Sequence, residues 1–385
     1  MKPGQPVFVH IGAMKTGTSF LQRVLRDNPD ALREDGAAFA GRRGWRDQVD
    51  GVRDVLQMHG NNDPARDTSG AWQQLVDDMG RSEVAQIISM EFLSFTGPER
   101  AARVVESLAP AEVQVVLSVR DAGRVIPAQW QEHTQNRGRQ SWREWCEGIT
   151  DTTATLPSTP QGLLQALRVP RMVRSWSPTV PAGCFHVVTV PPSGSPPDEL
   201  WRRFAAALSL SAERYRLPTR QANESLGHVS AELMRRLNER VRDLPVSDYN
   251  RVVKALLGKR VLAARSGERK VLLPSMLAAS AAAWDRRSVR AIRASPARVI
   301  GDLEDLALRT PTDPDLVEVG DEELLEALGD AHQRLLSIAA TQKVGTEPLH
   351  AAEARRSPIS GDPLARAFDD LEQTVRTLAA AGSTS

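Results

Sequence analysis

The sequence predicts an α/β fold, with a central parallel sheet flanked by helices and a helical extension at the C-terminus. Three observations lead to this expectation. Short apolar runs bounded by Gly or Pro alternate with segments of helical periodicity, which is typical of a parallel sheet covered on both faces. Polar residues suited to ligand binding follow directly after several of these runs. From about residue 311 the apolar residues recur at heptad-like spacing instead.

The predicted strands are continuous apolar runs, as expected for strands that are buried on both faces. In chain order they are Val7–Ile11, Gln86–Ser89, Val113–Val119 and Phe185–Val190. Crossover connections between parallel strands place helices on both faces of such a sheet, which predicts three layers.

Helices are predicted between the strands, where apolar residues recur every three or four positions. These helices are Thr18–Asp27, a short one that begins at Asn28-Pro29 and ends at Gly36, Glu99–Leu108, Ala122–Asn136 and Glu199–Leu208. Residues 41–70 are rich in Arg and Asp, and we expect them to form a mobile or substrate-facing segment. A loop is expected at Thr150–Pro160.

Two apolar stripes near the C-terminus predict two further helices. The stripes consist of Leu324, Leu328, Ala331 and Leu335, and of Leu364, Phe368, Leu371, Val375 and Leu378, with a polar linker near Gly345–Pro363 between them. The pattern favours packing of these helices on their own domain, and a homodimer interface through them is the alternative. We therefore predict an α/β domain over residues 1–310 and a helical extension over residues 311–385.

Composition and charge exclude several classes of function. Lys and Arg number 49 and Asp and Glu 48, so the net charge of +1 creates no global field for nucleic acid or an anionic membrane. The two cysteines lack the spacing of a zinc site or a disulfide framework. Neither a signal peptide nor an apolar run of about 18 residues is present, which predicts no membrane insertion and a cytoplasmic location.

The residues that follow the first predicted strand form the most informative motif. The stretch GAMKTGTS from Gly12 to Ser19 lies between a buried strand and a helix N-terminus, and it predicts a phosphate-binding loop. Loops that bind nucleoside triphosphates carry Lys directly after their second Gly. Here Lys15 stands two residues before Gly17, so the order of residues favours a different phosphate ligand.

Three separate stretches predict one crevice. Ligands of parallel α/β sheets lie beyond the carboxyl ends of the strands. Lys15, Glu91 and Arg120 each come just after a predicted strand, and we expect them to lie close together. If a reaction in this crevice releases a proton, a carboxylate or imidazole there would accept it. Glu91 is the first candidate for this general base, and His59 and His133 are its rivals.

Two motifs resemble a known family. The stretch HIGAMKTGTSFLQ at His10–Gln22 resembles the 5′-phosphosulfate loop of sulfotransferases that use 3′-phosphoadenosine-5′-phosphosulfate (PAPS). The stretch VVLSVRD at Val115–Asp121, followed by Arg124 and by PAQWQE at Pro127–Glu132, resembles their 3′-phosphate motif. Weaker similarities to bacterial members are ANESLG at 222–227, TVPP at 189–192, WRRF at 201–204 and VIGDLEDL at 299–306. The resemblance covers roughly residues 7–310.

This resemblance implies a P-loop fold and transfer of a sulfuryl group from PAPS to a hydroxyl or amine, with 3′-phosphoadenosine-5′-phosphate (PAP) as product. It also implies roles for individual residues. Lys15 would be the cation at the leaving oxygen. The 5′-phosphate would be held by Lys15, Thr16, Gly17, Thr18 and Ser19, and the 3′-phosphate by Arg120 and Arg124 with help from Asn223 and Ser225. No metal is expected, because no set of Asp and Glu is placed as ligands near the loop.

The chain departs from the family pattern at two positions. Ala128 stands where the 3′-phosphate motif has Ser, which removes one hydrogen bond worth about 0.5–1.5 kcal/mol. Met90 stands where animal members have a catalytic His, and Glu91 beside it can accept a proton instead. Two alternatives stay open. One is a small-molecule P-loop kinase, and the other, which the two departures motivate, is a non-catalytic nucleotide-binding member. The expected acceptor is a small molecule, a glycan or a natural product, and not a nucleic acid.

Overall fold

A computed structural model describes residues 1–58, 67–150, 167–218, 226–307, 312–313, 316–342 and 362–382. The predicted α/β class is confirmed, because the described residues contain a six-stranded parallel sheet flanked by helices. The chain forms two compact units. The first unit comprises Met1–Ile126, Pro160–Thr219 and Met276–Pro311, and the second comprises Pro127–Thr159, Arg220–Ser275 and Thr312–Ser385. The boundary predicted at residue 310 follows a change in composition and stays a prediction.

The six-stranded sheet belongs to the first unit. Its strands are β1 (Pro6–His10), β2 (Ala37–Phe39), β3 (Ala85–Ser89), β4 (Glu112–Val119), β5 (Phe185–Thr189) and β7 (Arg298–Ile300). They lie in the order β2-β3-β1-β4-β5-β7, and each neighbouring pair is parallel. All four strands predicted from the sequence are present, whereas the short edge strands β2 and β7 were not predicted.

The α-helices connect these strands or follow them. They are α1 (Thr18–Asp27), α2 (Pro29–Glu34), α3 (Trp45–Val55), α4 (Ala71–Gly80), α5 (Pro98–Glu106), α6 (Ala122–Gln135), α7 (Trp142–Thr150), α8 (Val169–Trp176), α9 (Glu199–Ala207), α10 (His228–Arg240), α11 (Val246–Asp248), α12 (Ser275–Arg293), α13 (Asp321–Gln342) and α14 (Pro363–Gly382). Short 3-10 turns occur at Glu91–Phe95, Ser177–Thr179, Ala212–Arg214, Leu262–Ala264 and Leu303–Leu306, and a π-helix occupies Tyr249–Val261.

Successive side chains of the strands enter two different apolar cores. Val7 and Val9 of β1 belong to one core, which also holds residues of α3, α4, α5 and α8. Phe8, between them, belongs to a second core with residues of α1 and α9. Because side chains of a strand alternate between its two faces, these cores cover opposite faces of the sheet. The first unit therefore has three layers.

Helix α3 corrects the expectation for residues 41–70. The charged composition there suggested a mobile or substrate-facing segment, but Trp45–Val55 is helical and buries Val49 and Val52. Gln48 is fully buried, and its amide donates to the carbonyl of Ala40 at 2.9 Å. Its carbonyl accepts the Ser89 amide N–H at 2.8 Å. A buried polar side chain that bridges two strands gives no apolar signal in the sequence.

At the carboxyl end of β5, one hydrogen-bond network joins the stretches TVPP, WRRF and VIGDLEDL. The Arg203 guanidinium donates to the Thr189 hydroxyl at 2.8 Å and also contacts Asp305. The Thr189 hydroxyl donates to Asp305 at 2.8 Å. Gly301, with φ of 99°, passes so close that a Cβ would lie 2.2 Å from the Thr189 hydroxyl. In this part of the chain the TVPP, WRRF and VIGDLEDL stretches thus serve to fix β5 and β7.

Replacement of Asp305 should therefore destabilise the first unit. Asp305→Ala removes the acceptor of the buried Thr189 hydroxyl and one of the two carboxylates that pair with Arg203, since Glu199 remains. We expect a loss of about 1–3 kcal/mol in the free energy of unfolding. Urea unfolding of the full chain measures this loss. Glu304→Ala is the matched control, because Glu304 is exposed and forms only a 4.0 Å contact with Arg293. A control variant as unstable as Asp305→Ala would contradict the explanation.

The second unit, described by itself, buries both C-terminal stripes. Helices α13 and α14 pack against each other, and both also contact α10 and the π-helix. Leu328 and Leu335 are fully buried, as are Leu371 and Val375. Strands β6 (Leu273–Pro274) and β8 (Thr312–Asp313) form a small parallel pair. Packing within the unit thus uses the stripes, and the homodimer stays a prediction. No helix in the described ranges is long and apolar enough to cross a membrane.

Candidate anion-binding site

The strand order places a crevice at the carboxyl end of β1. After β1 the chain adds β2 and β3 on one side, and it then returns to add β4 on the other side. At such a switch the loops after neighbouring strands diverge and leave room for a ligand. Lys15 follows β1, Glu91 follows β3 and Arg120 follows β4, so all three come after neighbouring parallel strands at one edge of the sheet.

His10, the last residue of β1, fixes the start of the loop. Its ring nitrogens contact the hydroxyls of Ser89 at 2.8 Å and of Ser118 at 3.0 Å, which lie on the strands at either side. The ring also packs edge-on against Phe204. Burial lowers the pKa of His10 to about 3, so the ring is neutral near pH 7. His10 therefore orients the three strand ends.

The loop backbone lies unusually close to its surroundings. Gly12 has φ of 94°, and a Cβ on it would lie 3.1 Å from the Cα of Glu91. Gly17 has φ of 87°, and its Cβ would lie 2.6 Å from a methyl of Leu200. Lys15 is a non-glycine residue in the left-handed region, with φ of 61°. Such strained residues gather at functional sites, where the surrounding structure holds them in place.

The N-terminus of α1 opens at this loop. In an α-helix the first amide N–H groups have no partner within the helix. At α1 the cap residue is Gly17, and no side chain within the described loop caps the helix. The first turn also lacks an acidic residue. The Thr16 hydroxyl donates to the Ala13 carbonyl at 2.7 Å and braces the loop from inside. The helix end therefore favours an anion.

Arg120 joins the end of β4 to this loop. Its guanidinium Nη1 donates to the carbonyl oxygen of Lys15 at 3.0 Å. The buried Nε has no hydrogen-bond partner among the described residues. Burial and then the charge of Arg124 lower the pKa of Arg120 to about 10, which still leaves it cationic near pH 7. A partly buried cation with an uncommitted N–H donor suits an anionic ligand.

Glu91 lies on the opposite side of the loop, at the start of the 3-10 turn after β3. The Gln22 side chain of α1 donates to the Ser89 carbonyl at 2.9 Å and lies 3.4 Å from Glu91 Oε2. Gln22 thus orients the carboxylate, a role that was not predicted for it. In the sequence Gln22 is the last residue of the HIGAMKTGTSFLQ stretch, and in the structure it lies on the buried face of α1.

Arg124 has structural partners. It pairs with Asp121, and its Nη1 donates to the Pro191 carbonyl at 2.8 Å. The Arg124 amide N–H donates to Asp121 at 3.0 Å. These contacts tie the start of α6 to the end of β5. The predicted contact of Arg124 with a nucleotide stays a prediction.

His133 belongs to the second unit, where its ring packs on Trp145 with centroids 4.8 Å apart. Burial lowers the pKa of His133 to about 4. The last three candidates, His59, Asn223 and Ser225, lie outside the described residues. Glu91 is the candidate base that follows a strand next to β1 in the described structure.

Asp285 of α12 is a further residue that the sequence pattern did not predict. Its Oδ1 accepts the Ala122 amide N–H at 2.9 Å, two residues after Arg120. The residue is only 6% exposed, and its buried Oδ2 has no hydrogen-bond partner among the described residues. The pKa of Asp285 is raised to about 7, chiefly by burial. The Ala122 N–H and the charge of Arg124 lower this pKa, and the charge of Asp121 raises it.

This raised pKa predicts a pH dependence of stability. The folded chain keeps the proton of Asp285 up to about pH 7, whereas the unfolded chain releases it near pH 3.8. The stability contribution is therefore complete below the lower value and is lost as pH rises through the upper one. The loss is at most about 1.4 kcal/mol per pH unit. Asp285→Asn should remove this pH-dependent loss. In urea unfolding from pH 4 to pH 8, the free energy of unfolding of Asp285→Asn should therefore rise progressively relative to that of wild type. A constant difference from wild type would contradict the assignment.

Among the described residues no group of three or more His, Cys, Asp or Glu side chains is placed to hold a metal ion. Comparisons with models of protein families, with curated proteins and with solved structures gave no match for this chain.

Proposed function

We propose that this protein is a sulfotransferase with a P-loop fold, which moves a sulfuryl group from PAPS to a hydroxyl or amine and releases PAP. One observation above all supports the proposal. The Arg120 guanidinium at the end of β4 hydrogen-bonds to the Lys15 carbonyl in the loop after β1. The loop after β1, which carries Lys15, and Arg120 after β4 thus meet near a helix N-terminus that has no side-chain cap within the described loop. A nucleotide with separate 5′- and 3′-phosphoryl groups needs two such anchors.

The residues of the crevice suit this donor, which supplies the sulfuryl group when bound. The open amides of α1 and the Lys15 ammonium can hold the 5′-phosphosulfate. Arg120, whose buried Nε lacks a partner among the described residues, can hold the 3′-phosphate. Charge builds on the leaving oxygen during transfer, and a fixed cation with oriented N–H donors stabilises it. Lys15 and the loop meet this requirement.

Glu91 is the proposed general base. Its carboxylate, oriented by Gln22, would accept the proton of the acceptor hydroxyl or amine as that group attacks sulfur. General-base catalysis contributes about 10²–10⁴-fold to a rate. Glu91→Gln should therefore lower kcat by about 100-fold or more and leave the affinity for PAP within a few fold. Steady-state kinetics with a competent acceptor and calorimetry with PAP check both. A Glu91→Gln variant with wild-type kcat would remove Glu91 from this role.

The proposed acceptor is a small molecule, a glycan or a natural product in the cytoplasm. Transfer of labelled sulfate from PAPS to a panel of sugars, phenols, lipids and peptide or nucleoside natural products tests the activity. Labelled product with equimolar PAP is the expected result. Absence of product for every acceptor, together with absence of PAP binding, would contradict the proposal. Stabilisation by ATP and not by PAP would favour the kinase alternative.

A further inference from the structure

The buried carboxyl of Asp285 lowers the free energy of unfolding, whereas an apolar side chain at the same position would not. Its carboxyl is 6% exposed, and Oδ2 lacks a hydrogen-bond partner in the described part of the chain. The charges of Asp121 and Arg124 act on it with opposite signs. Buried carboxyls that lack full hydrogen bonding are costly, and such residues occur where function requires them.

Within the described part of the chain, the Asp285 side chain forms its hydrogen bond with the turn that carries Arg120. Oδ1 accepts the Ala122 amide N–H at 2.9 Å, and Ala122 is the first residue of α6. That N–H has no partner within its own helix, since it belongs to the first turn. Asp285 therefore fixes the backbone two residues beyond Arg120, from a helix that is distant in the sequence.

Arg120 depends on this backbone position. Its guanidinium Nη1 donates to the Lys15 carbonyl at 3.0 Å, and its buried Nε has no hydrogen-bond partner among the described residues. Asp121 on the same turn is committed to Arg124. A bidentate contact between Arg and phosphate tolerates little displacement, because both N–H groups must point at the two oxygens.

We propose that Asp285 is a positioning residue, which holds the Arg120–Ala122 turn so that the Arg120 guanidinium can grip the 3′-phosphate of the nucleotide. This inference rests on the proposed function. It assigns to α12 a part in selecting nucleotides that carry a 3′-phosphate over those that lack one. The role acts through the Ala122 N–H, so any side chain with an acceptor oxygen at the place of Oδ1 should fulfil it.

The test measures the 3′-phosphate preference, defined as the Kd of AMP divided by the Kd of PAP, by calorimetry on the full chain. Asp285→Ala should lower the preference about 10-fold, mainly by weakening PAP binding, while AMP binding changes little. Asp285→Asn keeps an acceptor oxygen and should retain the preference within about threefold. Ser288→Ala is the matched control, because Ser288 is buried on the same helix but hydrogen-bonds only to Trp284 within it.

A double mutant separates positioning from a general loss of structure. In Arg120→Ala the 3′-phosphate preference should already be lost, and adding Asp285→Ala should lower it no further. If Asp285→Ala does not fold, Asp285→Ser is used instead. The serine side chain is too short to reach the Ala122 N–H. An unchanged preference in folded Asp285→Ala or Asp285→Ser, or additive losses in the double mutant, would overturn the inference alone. A wild-type chain that binds PAP no better than AMP would overturn it together with the proposed function.

Discussion

Replacement of Lys15 by Ala should abolish measurable transfer from PAPS. Lys15 stands in the strained loop at the open end of α1, with its backbone held by Arg120. In the proposed reaction its ammonium stabilises charge on the leaving oxygen, an interaction that grows towards the transition state. Loss of one such stabilising group lowers kcat by about 10²–10³-fold. Labelled-sulfate transfer at saturating PAPS measures the effect.

Two controls make the Lys15 result specific. Lys270→Ala removes an exposed lysine of the second unit and should leave kcat unchanged. Lys15→Arg keeps the charge but changes its shape, and it should recover only part of the lost rate. A Lys15→Ala chain that is folded and retains more than about a tenth of wild-type kcat is not compatible with the proposed mechanism.

Replacement of Arg120 by Ala should have the second largest effect, and this effect should fall on nucleotide selection. Charge-assisted hydrogen bonds contribute about 1.5–3 kcal/mol, so PAP should bind about 10- to 100-fold more weakly. AMP lacks the 3′-phosphate and should bind as before. Calorimetry with both nucleotides gives the two affinities on the same preparation.

Arg202→Ala is the matched control for this experiment, since Arg202 is exposed and pairs only with Asp198 of its own helix. It should leave both affinities unchanged. Arg120→Lys should recover part of the PAP affinity through charge alone, without the bidentate geometry. Equal losses of PAP and AMP affinity in Arg120→Ala would show that Arg120 supports the loop and does not bind the 3′-phosphate.

The central strands of the sheet were predictable because each is a continuous apolar run. Strands β1, β3, β4 and β5 occur within about one residue of the predicted limits, and all are largely buried. The edge strands β2 and β7 are only three residues long and only partly buried. A half-covered strand of this length has too few apolar residues to give a pattern.

The common position of Lys15, Glu91 and Arg120 after neighbouring strands could be predicted from the sequence because parallel strands end at the same edge of a sheet. Gln22 and Asp285 could not, because each acts through a single hydrogen bond to a residue distant in the sequence. Gln22 reaches the end of β3, and Asp285 reaches the start of α6. No local pattern records such a contact.

Arg124 is a motif residue whose local partner cannot be read from the motif alone. Its spacing after Arg120 suggests a second phosphate contact, but Asp121 stands three residues before it on the same turn and pairs with it. The i to i+3 spacing of a helix brings such pairs together wherever they occur. A cationic side chain near a phosphate motif can therefore be paired with a carboxylate on its own helical turn.

The proposed function requires that the crevice after β1 binds a nucleotide that carries a 3′-phosphate. Titration of the full chain with PAP, and separately with AMP and with ATP and Mg²⁺, tests it most directly. We predict one PAP per chain, with an affinity at least about 10-fold above that for AMP or ATP, from the contribution of a charge-assisted contact. Tighter binding of ATP than of PAP, or no binding of PAP, would contradict the account.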